Sequence, residues 1–254
     1  MMIERILEAA KPHLEGKKVS ELVVGLSMIG CCLSDGQVGV AYMLRDSLPN
    51  GCSAFPYAQE VEGKPAEEIA KWVMTGADDA QRGIGAAVLS AASQSLDIPD
   101  DDSPQPFGVE IRPGDVIGMV GYIRPVAQRL KKIASEVLVF DWGVEQAGGD
   151  DEVTPCALQD QLLPKCDVVI LSGTTTINGS IDGLLDMCTG AREIVLVGSS
   201  TPMFAAAFEG TGVTHLAGAW WKNEEKDKIF KIISHAGGIR ALSEYIIMKN
   251  APVE

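Results

Sequence analysis

Basic residues and long apolar runs are scarce in this 254-residue chain, and each scarcity excludes a class of function. Lys and Arg total 21 against 35 Asp and Glu, a formal net charge of −14. Nucleic acids and anionic membranes repel so acidic a surface, so we expect neither as a partner. No apolar run is long enough to span a bilayer, and no cationic, apolar leader opens the chain. We therefore expect a cytoplasmic protein.

The cysteines and histidines show none of the spacings of a zinc site or a redox motif. No pair forms C-x-x-C, and the adjacent Cys31 and Cys32 would point to opposite faces of a strand. Reduced, mostly buried thiols are the favoured interpretation, and a soft-metal site assembled from distant cysteines stays open. The six cysteines are Cys31, Cys32, Cys52, Cys156, Cys166 and Cys188.

The glycine signature of dinucleotide-binding folds is also missing. Gly118 and Gly121 in GMVGYIRP stand three residues apart, and no third glycine completes G-x-G-x-x-G. The glycine-rich first loop of many methyltransferases is absent too. The sequence therefore supports neither NAD nor S-adenosylmethionine as a cofactor. The cofactor stays unknown, with a metal ion or a metal chelate as the open alternative.

What the chain does have is two contrasting patterns on either side of a Pro- and Asp-rich stretch. Residues 1–96 predict a smaller α+β domain. Residues 97–108, DIPDDDSPQPFG, predict an extended, solvated linker rather than a metal site at Asp100, Asp101 and Asp102. The elements expected in the first domain are a helix over 2–14, strands over 21–32 and 38–44 joined by a turn at 34–36, and helices over 65–76 and 78–96.

Residues 109–254 alternate between strands and helices, which predicts an α/β fold with a Rossmann-like parallel sheet and helices on both faces. His215 would follow the last strand. There it either acts as an acid or base or, as we favour, has only a structural role. The predicted strands are 115–120, 136–140, 167–171, 193–197 and 213–216. The predicted helices are 125–134, 155–163, 180–188, one from Pro202, 224–234 and 239–248.

The polar loop SGTTTINGS, residues 172–180, is the most informative candidate site. Ligands of parallel sheets bind outside the carboxyl ends of the strands, and a helix N-terminus there suits an anion or a carboxylate. Helix capping explains Asn178 or Ser180 but not three successive threonines, so ligand contact is favoured. The candidate residues of this loop are Thr174, Thr175, Thr176 and Asn178.

Other strand ends add candidates with open alternatives. Gly121 lets a ligand approach the backbone or only serves a tight turn. Asp141 follows Gly121 by twenty residues, the place of the ribose-binding acid in Rossmann folds, but an ordinary helix-capping or solvated Asp is the favoured interpretation. In GSSTP, Ser199 and Ser200 are free to face a ligand, while Thr201 precedes Pro202 as an N-cap does. The acidic loop 150–152 is predicted to be solvated rather than a cation site.

Four stretches resemble the putative heavy-metal chelation family, a group of unknown function: GMVGYIRPVAQRL, LLPKCDVVILSGTTTINGSIDGLL, VLVGSSTPMF and THLAG. GVAY and RGIGAAVLSAAS are similar to the smaller domain that precedes it, which resembles the amino-terminal domain of enolases. The resemblance implies a Rossmann-like domain whose cleft the small domain completes, and a role in chelating heavy metals or making a metal-binding small molecule. It places Gly121, Thr175, Asn178, Ser199 and Thr201 at the site.

Three functional hypotheses follow. The first is an enzyme that condenses, hydrolyses or transfers a group on a small heterocycle or chelator precursor. The second is a protein that holds a metabolite or metal chelate without chemistry. The third is direct metal binding by Cys and Asp side chains. A small molecule is the expected partner in the first two, and self-association into a homo-oligomer stays open.

Overall fold

A small antiparallel sheet forms the amino-terminal part of the molecule. The computed structural model describes residues 1–45, 48 and 55–254, so Cys52 lies outside the described residues. The three strands pair in chain order, and the predicted hairpin at 34–36 joins the second to the third. The elements are α1 (Met2–Leu14), β1 (Val19–Val24), β2 (Met28–Leu33), β3 (Val38–Tyr42), α2 (Ala66–Ala70), α3 (Trp72–Thr75) and α4 (Asp79–Ser93).

Hydrophobic spacing explains the helices of this part. α1 buries Ile3, Ile6, Ala10 and Leu14, which recur at the spacing of one helix face. α4 is rich in alanine and glycine, so its backbone lies close against the small sheet, and Asp78 caps it by accepting from the Gln81 N–H.

Two predicted elements of this part are wrong in extent. The strand expected over 21–32 is β1 and β2, because the chain reverses between them and Gly25 N–H donates to Met28 O at 2.9 Å. The helix expected over 65–76 is broken at Lys71 into α2 and α3.

The second sheet has six strands, of which five are parallel. The elements are β4 (Val116–Val120), α5 (Arg124–Leu130), β5 (Glu136–Phe140), α6 (Trp142–Gln146), α7 (Gln159–Leu162), β6 (Val168–Ser172), α8 (Ile181–Met187), β7 (Glu193–Val197), β8 (His215–Trp221), α9 (Lys226–Ser234) and β9 (Ile246–Pro252). Their order across the sheet is β5-β4-β6-β7-β8-β9, with β9 antiparallel to β8. The prediction of a Rossmann-like α/β fold preceded by a smaller α+β part is confirmed.

The central strands are buried on both faces, as their unbroken aliphatic runs predict. In β6, Val168 and Ile170 pack with Leu130 of α5, whereas Val169 and Leu171 belong to the core with Leu184 of α8. Alternation along one strand therefore supplies two hydrophobic layers.

Four expectations for this part are wrong. Residues 239–248 were expected to be helical, but β9 begins at Ile246 and makes a sixth strand. The helix expected from Pro202 is only a 3-10 turn, Ala205–Phe208. The helix over 155–163 is a run of short 3-10 and α turns. His215 begins β8 instead of following its strand, so it lies at the amino edge of the sheet.

Both sheets are joined by direct contacts. The Met2 N–H donates to Asp182 at 2.9 Å and the Arg5 guanidinium donates to Glu209 O at 2.6 Å. α9 lies on the small sheet, where the Lys226 ammonium pairs with Glu21. One hydrophobic cluster contains residues of α1, α4, β6 and β7. In the described part of the chain, no helix is long and apolar enough to cross a membrane.

Within residues 97–108, the stretch 98–101 runs beside the free edge of β9. The Asp101 N–H donates to Met248 O at 2.9 Å. The Lys249 ammonium is 7% exposed, donates to Ile98 O at 2.7 Å and to Asp100 Oδ1 at 2.6 Å, and lies 4.0 Å from the centre of the Trp220 ring. Ile98 is buried, whereas Asp97, Pro99 and Asp100 are exposed. The stretch also covers an exposed strand edge.

Candidate ligand site at the carboxyl edge of the parallel sheet

The strand order reverses its direction between β4 and β6. The chain passes from β4 to β5 on one side and continues at β6 on the other, so the winding direction changes between β4 and β6. In open parallel sheets, ligands bind outside the carboxyl ends of the strands at such a point. The loops that begin at Gly121 and Ser172 lie at this point of the sheet.

Gly121 brings these two loops into contact. It has φ +95°, and a Cβ atom there would lie 2.7 Å from the Ser172 Cβ, so a larger residue would separate the loops. Its N–H donates to Phe140 O at 2.8 Å. Gly121 therefore serves the tight turn, which is one of the two roles that the sequence left open.

The three successive threonines hold their own turn together. Thr175 Oγ1 donates to Ser172 O at 2.8 Å, and Thr176 Oγ1 donates to Gly173 O at 2.7 Å. Both side chains are at most 3% exposed, whereas Thr174 is half-buried and donates from Oγ1 to Ser172 Oγ at 2.8 Å. These bonds give the threonines a local role in the 3-10 turn Gly173–Thr176, which corresponds to a polar turn rather than to ligand contact.

Asp141 and Asn178 both accept hydrogen bonds from their own loops, and Asp141 also accepts one from a neighbouring loop. The Asp141 carboxylate accepts from the Val144 N–H at 3.0 Å, which caps α6, and from the Tyr122 N–H at 2.7 Å, which ties down the loop after β4. The cap is the alternative that the sequence left open for Asp141. Asn178 is exposed just before α8, and its Oδ1 accepts from the Ser180 N–H at 3.1 Å and hydroxyl at 2.8 Å.

The loop after β7 connects the two sheets. The Ser200 side chain is 5% exposed, and its Oγ accepts from the N–H of Tyr42, at the end of β3, at 2.8 Å. A Cβ atom on Gly173 would lie 2.5 Å from the Thr201 nitrogen, so the loops after β6 and β7 also touch. Ser199 is half-buried beside them. Sequence reasoning missed Tyr42 as part of this edge, although it ends the GVAY stretch.

Thr201 is the unexplained residue of this edge. Its backbone N–H donates to Gly198 O at 3.0 Å, which closes a tight turn. The side chain is 2% exposed, and its hydroxyl has no hydrogen-bond partner among the described residues. The predicted cap for a helix at Pro202 is wrong, since no such helix forms. A buried hydroxyl without a partner costs about 1–3 kcal/mol.

The acidic loop 150–152 lies beside the same edge and is paired. Asp150 accepts from the Arg124 guanidinium at 2.9 Å, and Glu152 accepts from the Lys131 ammonium at 2.8 Å and from the Tyr122 hydroxyl. The Lys131 bond is the main reason that the pKa of Glu152 is lowered, and the Glu152 bond raises the pKa of Tyr122. Asp151 and Glu152 are exposed, as expected of a solvated loop, and the charges of Asp150 and Glu152 are balanced by cations of the same domain.

A family model described as "Putative heavy-metal chelation" (DUF364) matches residues 104–252, more than half of the chain. The chain belongs to this family. A second model with the same description (DUF4213) matches residues 7–93, which contain the small sheet and the helices that pack on it.

Two solved structures of this family share the whole fold, and one further relative matches part of the chain. An uncharacterised protein of Methanocaldococcus jannaschii is 31% identical over 143 residues, which are 55% of this chain and 54% of that protein. The match thus spans about half the length of that relative. A crystal structure of a protein of unknown function from Pyrococcus horikoshii has a TM-score of 0.80 at 23% identity over 100% of both chains. One from Desulfitobacterium hafniense has a TM-score of 0.78 at 20% identity over 98% of both.

The family's description invites a test of direct metal binding by the protein's own side chains. Among residues 1–45, 48 and 55–254, no three His, Cys, Asp or Glu side chains are grouped so that they could hold a metal ion. Burial is the largest cause of the raised pKa of three cysteines. The pKa of Cys166 is raised to about 11, and the pKa values of Cys156 and Cys188 are raised to about 12. Thiols with such pKa values are protonated at pH 7, whereas metal ligation needs the thiolate. The described residues thus do not fit a resident metal.

Proposed function

We propose that the protein binds a small polar metabolite of metal-chelating chemistry at the carboxyl edge of its parallel sheet. The ligand lies at this edge beside the end of β3, and it presents a carboxylate or carbonyl oxygen to the turn Ser199–Thr201. Any metal ion is carried by the ligand, as cargo, and is not bound first by protein side chains. The family's description and the change of winding direction between β4 and β6 both support this proposal.

The unpartnered hydroxyl of Thr201 carries the proposal. Native proteins seldom leave a buried hydroxyl without a hydrogen bond, and those that do need an explanation. An acceptor oxygen of a ligand supplies the missing partner. Because the hydroxyl is covered, this contact requires a small displacement of the turn, which is already half-exposed at Ser199.

The side chains at this edge favour ligand binding without catalysis. The side chains that meet there are mainly hydroxyls, and the carboxylate of Asp141 is already occupied by two backbone N–H groups. Hydroxyl and amide groups recognise oxygen acceptors and donors, but they are poor general acids and bases at neutral pH.

Native mass spectrometry of gently purified wild-type protein and of Thr201→Val tests the proposal. We expect the wild type to carry an extra mass that is lost on denaturation, either from the cell or after incubation with citrate and Zn²⁺ as a defined chelate. Thr201→Val should lose this mass. The unfolding free energy of its ligand-free form should stay the same or rise by about 1–3 kcal/mol, because a costly buried hydroxyl is removed.

Thr201→Ser is the matched control, since it keeps the hydroxyl and should keep the ligand. Equal retention of the extra mass by Thr201→Val would contradict the proposal, as would a wild type that stays bare under both conditions. A ligand-free Thr201→Val destabilised by more than about 1 kcal/mol would assign the hydroxyl a structural bond instead.

A further inference from the structure

A cavity lies between the two parts of the chain, beside α1. It has a volume of about 350 Å³ and lies between α1, residues 96–99, residues 203–206 and the end of β9. Its floor is buried and apolar, with Phe204, Met203 and Ala251, while Asp97 and Ala206 stand exposed at its mouth. The volume falls in the range of small-molecule sites, and none of the nine predicted site residues lines it.

Short side chains keep this space open. Ala9, Ala205, Ala206 and Ala251 all face it, where longer aliphatic side chains would fill it. Protein interiors are close-packed, and voids much larger than a water molecule are few in a domain. The cavity therefore has both the size and the apolar walls of a ligand site.

His13 supplies a polar group of defined orientation. Its Nδ1 lies 2.6 Å from Ser95 Oγ, and the Ser95 hydroxyl donates its own hydrogen bond to Ala92 O at 2.8 Å. Ser95 must then accept, so Nδ1 carries the proton. The His13 ring also packs on Phe204, with centroids 5.7 Å apart. Burial, and then the nearby Lys17 ammonium, lower the pKa of His13, so the ring is neutral at pH 7 and Nε2 is an acceptor.

We propose that this cavity is a second small-molecule site, for an uncharged and mostly apolar ring compound that donates one hydrogen bond to Nε2 of His13. The Asp97 carboxylate at the mouth disfavours anionic ligands and accepts from any further donor. This ligand class differs from the oxygen-rich chelator proposed for the carboxyl edge. The two sites can therefore be tested separately.

Indole and 1-methylindole form the matched pair of probes, because they share the ring and differ in the N–H donor. We expect saturable indole binding to the full chain in ligand-observed NMR titrations, with 1-methylindole roughly tenfold weaker, the usual value of one hydrogen bond. His13→Phe should weaken indole to the level of 1-methylindole and leave 1-methylindole unchanged.

Ala205→Leu fills the cavity and should weaken both compounds at least about tenfold, since a filled cavity excludes the ring. Ala206→Leu at the exposed mouth is the second blocking variant if Ala205→Leu does not fold. Thr201→Val should leave both affinities unchanged, which separates this site from the carboxyl edge. The proposal is overturned by the absence of saturable indole binding, by binding that survives both alanine variants, or by equal indole affinity in wild type and His13→Phe.

Discussion

Single hydroxyl groups join the loops at the carboxyl edge of the large sheet. Ser200 accepts from the Tyr42 N–H and so connects the loop after β7 to the small sheet, while Thr175 and Thr176 bond to carbonyl groups of their own turn. The same residue types therefore serve the fold and border the candidate site. Only the hydroxyl of Thr201 is buried among them without a described partner.

Ser200→Ala should lower the unfolding free energy by about 1–3 kcal/mol, because the partly buried Tyr42 N–H loses its acceptor. Urea unfolding followed by circular dichroism measures the change. Ser199→Ala is the control: its side chain is half-buried in the same loop and has no hydrogen bond to the described residues, so a change within about 0.5 kcal/mol is expected. Equal effects of the two substitutions would show that the Tyr42 bond contributes nothing.

The start of β4 is held by an ion pair that makes stability depend on pH. Asp115 is 4% exposed, and it accepts from both terminal nitrogens of Arg192, at 2.8 and 2.7 Å, and from the Arg112 N–H at 2.6 Å. The bond from Arg192 is the main reason that the pKa of Asp115 is lowered. Asp115→Asn should cost about 2–3 kcal/mol at pH 7, because charge-assisted hydrogen bonds are lost.

This cost should shrink in acid. A carboxyl whose folded pKa lies below its unfolded value of about 3.9 contributes stability above that value and loses it as the pH falls through the folded pKa. Urea unfolding of wild type and Asp115→Asn at pH 7, 4 and 3 should therefore give converging free energies. Glu110→Gln, which breaks an exposed pair with Arg112, should differ from wild type by less than about 1 kcal/mol at every pH. A difference for Asp115→Asn that stays constant down to pH 3 would contradict the assignment.

Lys249 fastens residues 98–101 to the edge of β9 and should protect them from proteolysis. Lys249→Met removes the bonds to Ile98 O and Asp100, so cleavage by a protease specific for Asp should rise roughly tenfold at Asp97–Asp102. Lys132→Met, an exposed lysine elsewhere, is the control and should not change the cleavage rate. Equal rates in all three proteins would show that the lysine does not hold this segment.

Helices and strands whose position follows from the hydrophobic pattern of their own residues could be predicted from the sequence. β5 and β7 have the bounds that their aliphatic runs indicate, and α1 follows its apolar spacing. β9 could not be predicted, since the run YIIMK fits a helix face and a strand alike, and its hydrogen bonds come from β8, far away in the chain. Thr201-Pro202 has the composition of a helix start, but the following alanines pack against α1 as a 3-10 turn.

The edge that carries the candidate site was predictable for the same reason, because buried parallel strands place their polar loops together. Individual roles were not predictable. Whether Asp141 binds a ligand or caps a helix depends on Tyr122 and Val144, and the role of Ser200 depends on Tyr42, 158 residues away. Sequence spacing does not contain those contacts.

At the scale of the whole molecule, the two sheets share one core rather than meeting at a hinge. α1 packs against the turn Ala205–Phe208, α9 packs on β1 and β2, and buried residues of both sheets lie in one hydrophobic cluster. Both proposed sites lie along this joint, one at the carboxyl edge and one beside α1. The small sheet therefore contributes Tyr42 to one site, and α1 contributes His13 to the other.

The cysteines distinguish a ligand-carried metal from a metal bound by the protein itself. Cys31, Cys32, Cys166 and Cys188 are buried, and burial is the largest cause of the raised pKa of Cys31, Cys166 and Cys188. Thiolates react with iodoacetamide and bind soft metals, whereas thiols do neither well. In a Cys52→Ser protein at pH 7.5, these four cysteines and the half-buried Cys156 should be alkylated at least about a hundredfold more slowly than free cysteine.

Peptide mass mapping after timed alkylation gives the rate at each cysteine, and the same protein unfolded in urea should react at all five. If two or more of the described cysteines were alkylated quickly in the folded protein, thiolates would be available at pH 7.5. Those thiolates could then bind a metal ion directly. Slow alkylation at every one, together with a chelate retained by wild type and lost by Thr201→Val, would mean that the protein recognises the organic part of the chelate. The metal ion would then reach the protein only inside its ligand.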